Sequence, residues 1–240
     1  MRKLAIPQGQ SPLQVWKEQW GKGYDIGPKN LRILPLMEEL DRQGKLGRHI
    51  IDIGSGSTSM VGIYDGSVGG VYYPTEGKRV VRIDIAMPYP SRASDAILEI
   101  RADLESMDDG SIARLRRFVL VARHFGVDPR KDVGLADTIL LSEILNYIDY
   151  RRTIEGIPRF LKQQGRLVIY NDPMRGFSEI FSPAGVKDNF GLVAKLPDAG
   201  LEIEHLACPR RHYGKSFRYP HIEDFGENDL ILLVARKAQQ

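Results

Sequence analysis

The sequence predicts an α/β protein built on a doubly wound, mostly parallel sheet. From Ile50 to Tyr170 short apolar strands alternate with helical segments, the order that places helices on both faces of a parallel sheet. Each of the first three strands runs into or carries an acid, Asp52, Asp84 and Asp103 in turn, which core packing alone does not require. Two further apolar runs, 201–206 and 230–234, have no helical pattern between them. They predict an antiparallel strand pair at one end of the sheet.

Composition narrows the class. The chain has 240 residues and is 42% hydrophobic, enough for one sizeable core. No apolar run approaches the ~20 residues of a membrane span, so no membrane partner is expected. The opening Met1 to Pro7 is basic but lacks the long apolar segment of a secretory signal. The single cysteine, Cys208, excludes an internal disulfide and a cysteine-built metal site, and a cytoplasmic protein is expected. A net charge of +3 is too small to argue for nucleic acid by itself.

Residues 1–47 are expected to form a helical N-terminal extension, a cap or lid on a domain spanning 48–240. Ser11 to Gln14 fits a capping box with Pro12 at the first helical position, and Leu13, Trp16 and Trp20 then share a face. A second helix is predicted over Leu34 to Gln43, with an apolar stripe of Leu36, Met37 and Leu40 and a stop at Gly44. The first strand, Ile50 to Ile53, runs into Gly54-Ser55-Gly56, a tight turn. Where a first crossover helix belongs, Gly62, Gly66, Gly69 and Gly70 intervene. Glycine costs about 1 kcal/mol per helical position, so this insert reads as a short helix, a loop or a hairpin.

Val80 to Asp84 and Ile97 to Ala102 are the next strands. Ser111 to Phe125 is the clearest helix: Ile112, Leu115, Phe118, Val119, Ala122 and Phe125 share one face and Gly126 ends it. A strand at Thr138 to Leu141 runs into Ser142 and Glu143. A helix over 150–164 closed by Gly165 and a strand from Arg166 to Tyr170 complete the alternation.

In an open α/β sheet, ligands bind beyond the carboxyl ends of the strands, at the topological switch point. The candidate ligand residues are therefore Asp52, Gly54, Ser55 and Gly56 after the first strand, Asp84 and Ile85 after the second, Asp103 and Leu104 after the third, and Ser142 and Glu143 after the fourth. In order and spacing, Asp52-Ile53-Gly54-Ser55-Gly56, Asp84, Asp103, the run Asp137 to Leu145 and the strand Gly165 to Ile169 resemble the class I S-adenosylmethionine-dependent methyltransferases. The resemblance covers roughly Arg48 to Lys237. It implies a Rossmann-like fold and S-adenosylmethionine as cofactor. The glycine turn would then surround its methionine part, Asp84 would accept from the ribose hydroxyls, Asp103 would meet the adenine amino group, and Ser142 and Glu143 would close the sulfonium side. Thr58 stands where the family's third glycine falls.

Charge complementarity points the same way. S-adenosylmethionine carries a sulfonium, an ammonium and a diol, so acids beside a glycine turn complement it, whereas they repel a pyrophosphate. Each acid also has a structural reading. Asp52 could hold the loop from inside, Asp103 could cap a helix, and Glu143 could fix backbone amides.

The acceptor side is less patterned. The stretch from Arg210 to His221 mixes four cations with two histidines and two tyrosines; it reads as a solvated loop or as a substrate-facing one. His212 and His221 are candidate general bases or substrate contacts. Trp20, Tyr24, Tyr147, Arg211 and Tyr213 are the candidates for holding a small-molecule acceptor. No His/Glu spacing suggests a catalytic metal. The leading expectation is methyl transfer to oxygen or nitrogen of a small molecule. The other readings are an RNA methyltransferase using the 210–221 loop, a methyltransferase-like scaffold without catalysis, and, as an outsider, a nicotinamide dehydrogenase.

Overall fold

In a computed structural model, the described residues are 27–55, 73–84, 87, 91–102, 112–128, 134–173, 185–208, 217–218, 226–227 and 229–239. Among them a nine-stranded sheet carries four α-helices. In chain order these are α1 (Gly27–Arg42), β1 (His49–Ile53), β2 (Arg79–Asp84), β3 (Ser91–Ala93), β4 (Ile97–Arg101), α2 (Ile112–Phe125), β5 (Ala136–Ser142) and α3 (Tyr150–Gly156). There follow β6 (Leu161–Asn171), α4 (Asn189–Asp198), β7 (Leu201–Cys208), β8 (Phe217–Arg218) and β9 (Ile231–Lys237).

The strand order is β3-β4-β2-β1-β5-β6-β9-β7-β8. From β4 to β6 all pairings are parallel; β9 pairs antiparallel with both β6 and β7. The expected doubly wound sheet with its antiparallel C-terminal pair is therefore present. Side-chain alternation along the strands divides the core in two. On one face Ile50, Val80, Leu140, Val168 and Leu232 pack with Ile33, Met37 and Leu40 of α1. On the other, Ile51, Val81, Ile139, Ile169 and Leu233 pack with Phe125 of α2, Ile154 of α3 and Leu192 and Leu196 of α4.

Several expectations change. The helix expected from Leu34 begins at Gly27 and carries Pro35 inside it, and its apolar stripe packs into the sheet core; the rest of the expected cap lies outside the described residues. The helix expected over 150–164 stops at Gly156, passes through a 3-10 turn at Ile157–Arg159, and gives way to β6 at Leu161. Pro158 has no N–H to continue the helical ladder. The Phe160 carbonyl instead accepts from Leu135 and Ala136 at 2.7 and 2.9 Å. Gly165 thus closes no helix. It lies within β6, where Ala136 pairs with Leu161 but Thr138 with Arg166, and the surplus residues bulge through Gln164 at φ 64°.

Helix α4 had no counterpart in the sequence reading, because Gly191 and Pro197 interrupt its pattern. Its start is nonetheless fixed by Asp188, whose carboxylate accepts from the Gly191 amide at 2.7 Å. The short edge strands β3 and β8 were also unforeseen. Residues 61–72 of the glycine-rich insert lie outside the described residues.

Candidate functional site

Strand β1 lies between β2 and β5, the chain crossing to opposite sides of it, which makes its carboxyl end the switch point. Ile53 is level with Ile83 of β2 and Leu141 of β5. Gly54, Asp84 and Ser142 therefore leave the sheet side by side. Asp84 is in turn level with Arg101 at the end of β4. Three of the candidate ligand positions are thus gathered by register alone, since a parallel sheet aligns strand ends that lie far apart in sequence.

The turn after β1 is anchored from below. The Gly54 N–H donates to the Ile83 carbonyl at 2.9 Å, and Gly54 has φ +75°, a region that side chains other than glycine's rarely enter. A Cβ at this position would sit 2.6 Å from Ile144 Cβ. The space left by the absent side chain is therefore used by the segment following β5. This packing locks the β1 turn to the β5 turn, the two loops flanking the switch point.

Beneath the turn lies a buried ionic row. Asp52 of β1, Arg82 of β2 and Glu99 of β4 are neighbours in register, and none exceeds 2% exposure. The Arg82 guanidinium donates to Glu99 at 3.0 Å and to the Ser55 carbonyl at 3.1 Å, and its Nε lies 4.0 Å from the Asp52 carboxylate. Tyr73 donates its hydroxyl to Asp52 at 3.1 Å. Burial, reinforced by the Asp52 charge, pushes the Tyr73 phenol well above its ordinary range. It stays protonated and acts as a donor. The Asp52 carboxylate is thus in the interior, engaged by Tyr73 and close to Arg82. Asp84 is also buried, at 3% exposure, and its carbonyl accepts from the Ala102 amide at 3.2 Å.

Across the switch point, Ser142 is buried, and its Oγ has no hydrogen-bond partner among the described residues. Glu143 follows with φ 54°, an uncommon backbone for a residue with a side chain, and its N–H donates to the Tyr170 carbonyl at 2.7 Å. Tyr147 is half-buried in the turn beyond. Nearby, Asn146 donates to the Asp172 carbonyl at 2.9 Å and accepts from Asn171 at 3.1 Å, a buried polar cluster that fixes the ends of β5 and β6 together.

Of the sequence-derived candidates, Asp52, Gly54, Ser55, Asp84, Ser142, Glu143 and Tyr147 fall among the described residues, at this one edge of the sheet. Gly56, Ile85, Asp103, Leu104, His212, His221, Trp20, Tyr24, Arg211 and Tyr213 lie outside them. Sequence reasoning missed Tyr73, Arg82 and Glu99. A signal for the last two was present: each interrupts an otherwise apolar strand, Val80-Val81-Arg82-Ile83 and Ile97-Leu98-Glu99-Ile100. Among the described residues no group of three or more His, Cys, Asp or Glu could hold a metal, and no helix is long and apolar enough to cross a membrane.

Several solved methyltransferase structures share this arrangement. NodS, an N-methyltransferase from Bradyrhizobium japonicum WM9 solved with S-adenosyl-L-homocysteine, superposes with a TM-score of 0.54 at 14% identity over 96% of this chain and 100% of its own. The chain has the class I methyltransferase fold. A SAM-dependent methyltransferase from Thermotoga maritima gives a TM-score of 0.53 at 13% identity, over 93% of this chain and 99% of that one. A chain from the Haloferax volcanii complex containing the Trm112 methyltransferase activator gives 0.54 at 16% identity, over 95% and 97%. At these identities the likeness is one of fold. No protein-family model matches the sequence, and no curated protein matches it.

Proposed function

We propose that this protein is an S-adenosylmethionine-dependent methyltransferase that moves a methyl group to oxygen or nitrogen of a small-molecule acceptor. The observation that carries this reading is the edge where Gly54, Asp84 and Ser142 leave the sheet together at the switch point. The donor set there fits the cofactor's chemistry. Asp84 supplies a carboxylate at the end of β2 for a diol, and Ser142 brings a buried hydroxyl whose Oγ has no partner among the described residues. S-adenosyl-L-homocysteine in the NodS structure supports the same cofactor class.

When bound, S-adenosylmethionine would supply an electrophilic methyl on a sulfonium. The protein's contribution is chiefly positional. Asp84 would hold the ribose, the Gly54–Ser55 turn the amino-acid end, and Ser142 and Glu143 the side of the site facing the methyl. Alignment of the acceptor atom behind the methyl then accounts for most of the rate, because in-line transfer from a sulfonium depends on proximity and orientation. Asp103, Leu104, Gly56 and Ile85 are proposed to complete the cofactor site. Tyr147, Trp20, Tyr24, Arg211 and Tyr213 are proposed to flank the acceptor, with His212 or His221 taking its proton.

Calorimetric titration with S-adenosylmethionine and S-adenosylhomocysteine tests the cofactor. Saturable one-site binding is expected, and no binding at millimolar concentration would overturn the reading. Transfer of labelled methyl into a small-molecule pool, with none into total RNA, is the outcome expected for the acceptor; label appearing in RNA alone would reassign it.

A further inference from the structure

The Asp52–Arg82–Glu99 row is chemically costly. Taking an arginine and two carboxylates out of water carries a desolvation penalty that their attraction offsets only with good geometry, and well-packed apolar residues of similar volume often serve stability equally well. Each of the three strands is otherwise apolar at this height, with Val80 and Ile97 on the same face. A charged row in such a place calls for a task that apolar side chains cannot perform. The structure offers one: the guanidinium reaches out of the row to the carbonyl of Ser55, inside the turn proposed to hold the cofactor.

We propose that Arg82 is a positioning residue for the amino-acid end of the cofactor, acting through the Ser55 carbonyl, an inference that rests on the methyltransferase reading above. Arg82 holds the Ser55 carbonyl from beneath, Glu99 holds the guanidinium in plane through its other nitrogen, and the Tyr73-bonded Asp52 keeps the charge in place. The guanidinium makes the two donations from separate nitrogens fixed in one plane, whereas an ammonium offers its donors from a single point on a flexible stem. Asp84 and Asp103, proposed to hold the adenosine end, are not members of this row.

The test compares two probes, S-adenosylhomocysteine and 5′-methylthioadenosine, which share the adenosine thioether but of which only the first carries the amino-acid end. Two variants are used, Arg82→Lys, which keeps a cation between the acids, and the double variant Arg82→Met/Glu99→Gln, which removes both partners of the pair. Calorimetric melting first identifies the variants that unfold cooperatively. In these, affinity for S-adenosylhomocysteine is expected to fall about tenfold, the scale of one lost hydrogen bond to a charged group, while that for 5′-methylthioadenosine changes less than about twofold. Equal losses for both probes would mark Arg82 as merely structural and overturn the proposal, as would unchanged affinity for both. Loss of cooperative folding in both variants would assign Arg82 to stability and overturn it too. Wild-type protein that binds neither probe overturns the cofactor reading itself, a result separable from wild-type binding with undiminished discrimination in the variants.

Discussion

Two single positions set the character of the site. Gly54 combines a left-handed backbone with an Ile144 contact that leaves no room for a methyl group. Gly54→Ala is expected to destabilise the protein by about 1 to 3 kcal/mol through strain and displacement, read from the midpoint of urea unfolding. Asp84 is buried at a strand end beside the turn. Asp84→Ala should weaken S-adenosylmethionine binding by about 1 to 3 kcal/mol, the range for losing hydrogen bonds to a charged group; unchanged affinity in calorimetry would remove Asp84 from the site. At this scale the sequence was readable only in part. The motif singled out Asp52, but the Tyr73 and Arg82 contacts that bury it come from residues 21 and 30 positions further along the chain; Arg82 is marked locally only as a charge within an apolar strand, and nothing local pairs either residue with Asp52.

Among the elements, the opposite edge of the sheet has its own anchor. The Asp137 carboxylate in β5 accepts from the amides of Arg48 and His49 at 2.9 and 2.8 Å and from Lys162 of β6 at 2.9 Å, tying together the entries of three strands. Burial by itself would raise this carboxyl, but Lys162 and the two amides outweigh it and hold it below the ordinary range. A carboxyl with a depressed folded value contributes stability that is full above its unfolded value, near 3.8, and is lost as the pH falls through the lower folded one. Asp137→Ala is therefore expected to cost about 1 to 3 kcal/mol at neutral pH. The difference from wild type should shrink as denaturation is repeated at progressively lower pH below that value. A difference independent of pH would mean that packing, not charge, explains the loss. The helix ends were legible where glycine follows an apolar stripe, as at Gly44 and Gly126. They were misjudged where a tertiary partner intervened, as at Leu161, which pairs with Ala136 instead of prolonging α3.

For the molecule as a whole, two cores share one sheet, and the site lies on the edge where both end. A ligand bound at the proposed site would stabilise the folded state by mass action. S-adenosylhomocysteine at a hundredfold its dissociation constant adds about 2.7 kcal/mol. For a domain of this size that corresponds to a rise in Tm of about 5 to 10 °C in a calorimetric scan; a Tm independent of ligand would contradict binding to the native state.

The sequence by itself determined the strand alternation, the doubly wound class, the antiparallel pair at the end and the places where acids follow strands. These follow from local patterns, because apolar periodicity and turn residues act over a few positions. Tertiary structure alone decided the strand order, the placing of Gly54 against Ile144, and the joining of Asp52, Arg82 and Glu99 into one buried row. Those depend on register between strands, with Asp52, Arg82 and Glu99 lying 17 to 47 positions apart in the chain. Register is set by how whole faces of the sheet bury together, which no single stretch of chain encodes.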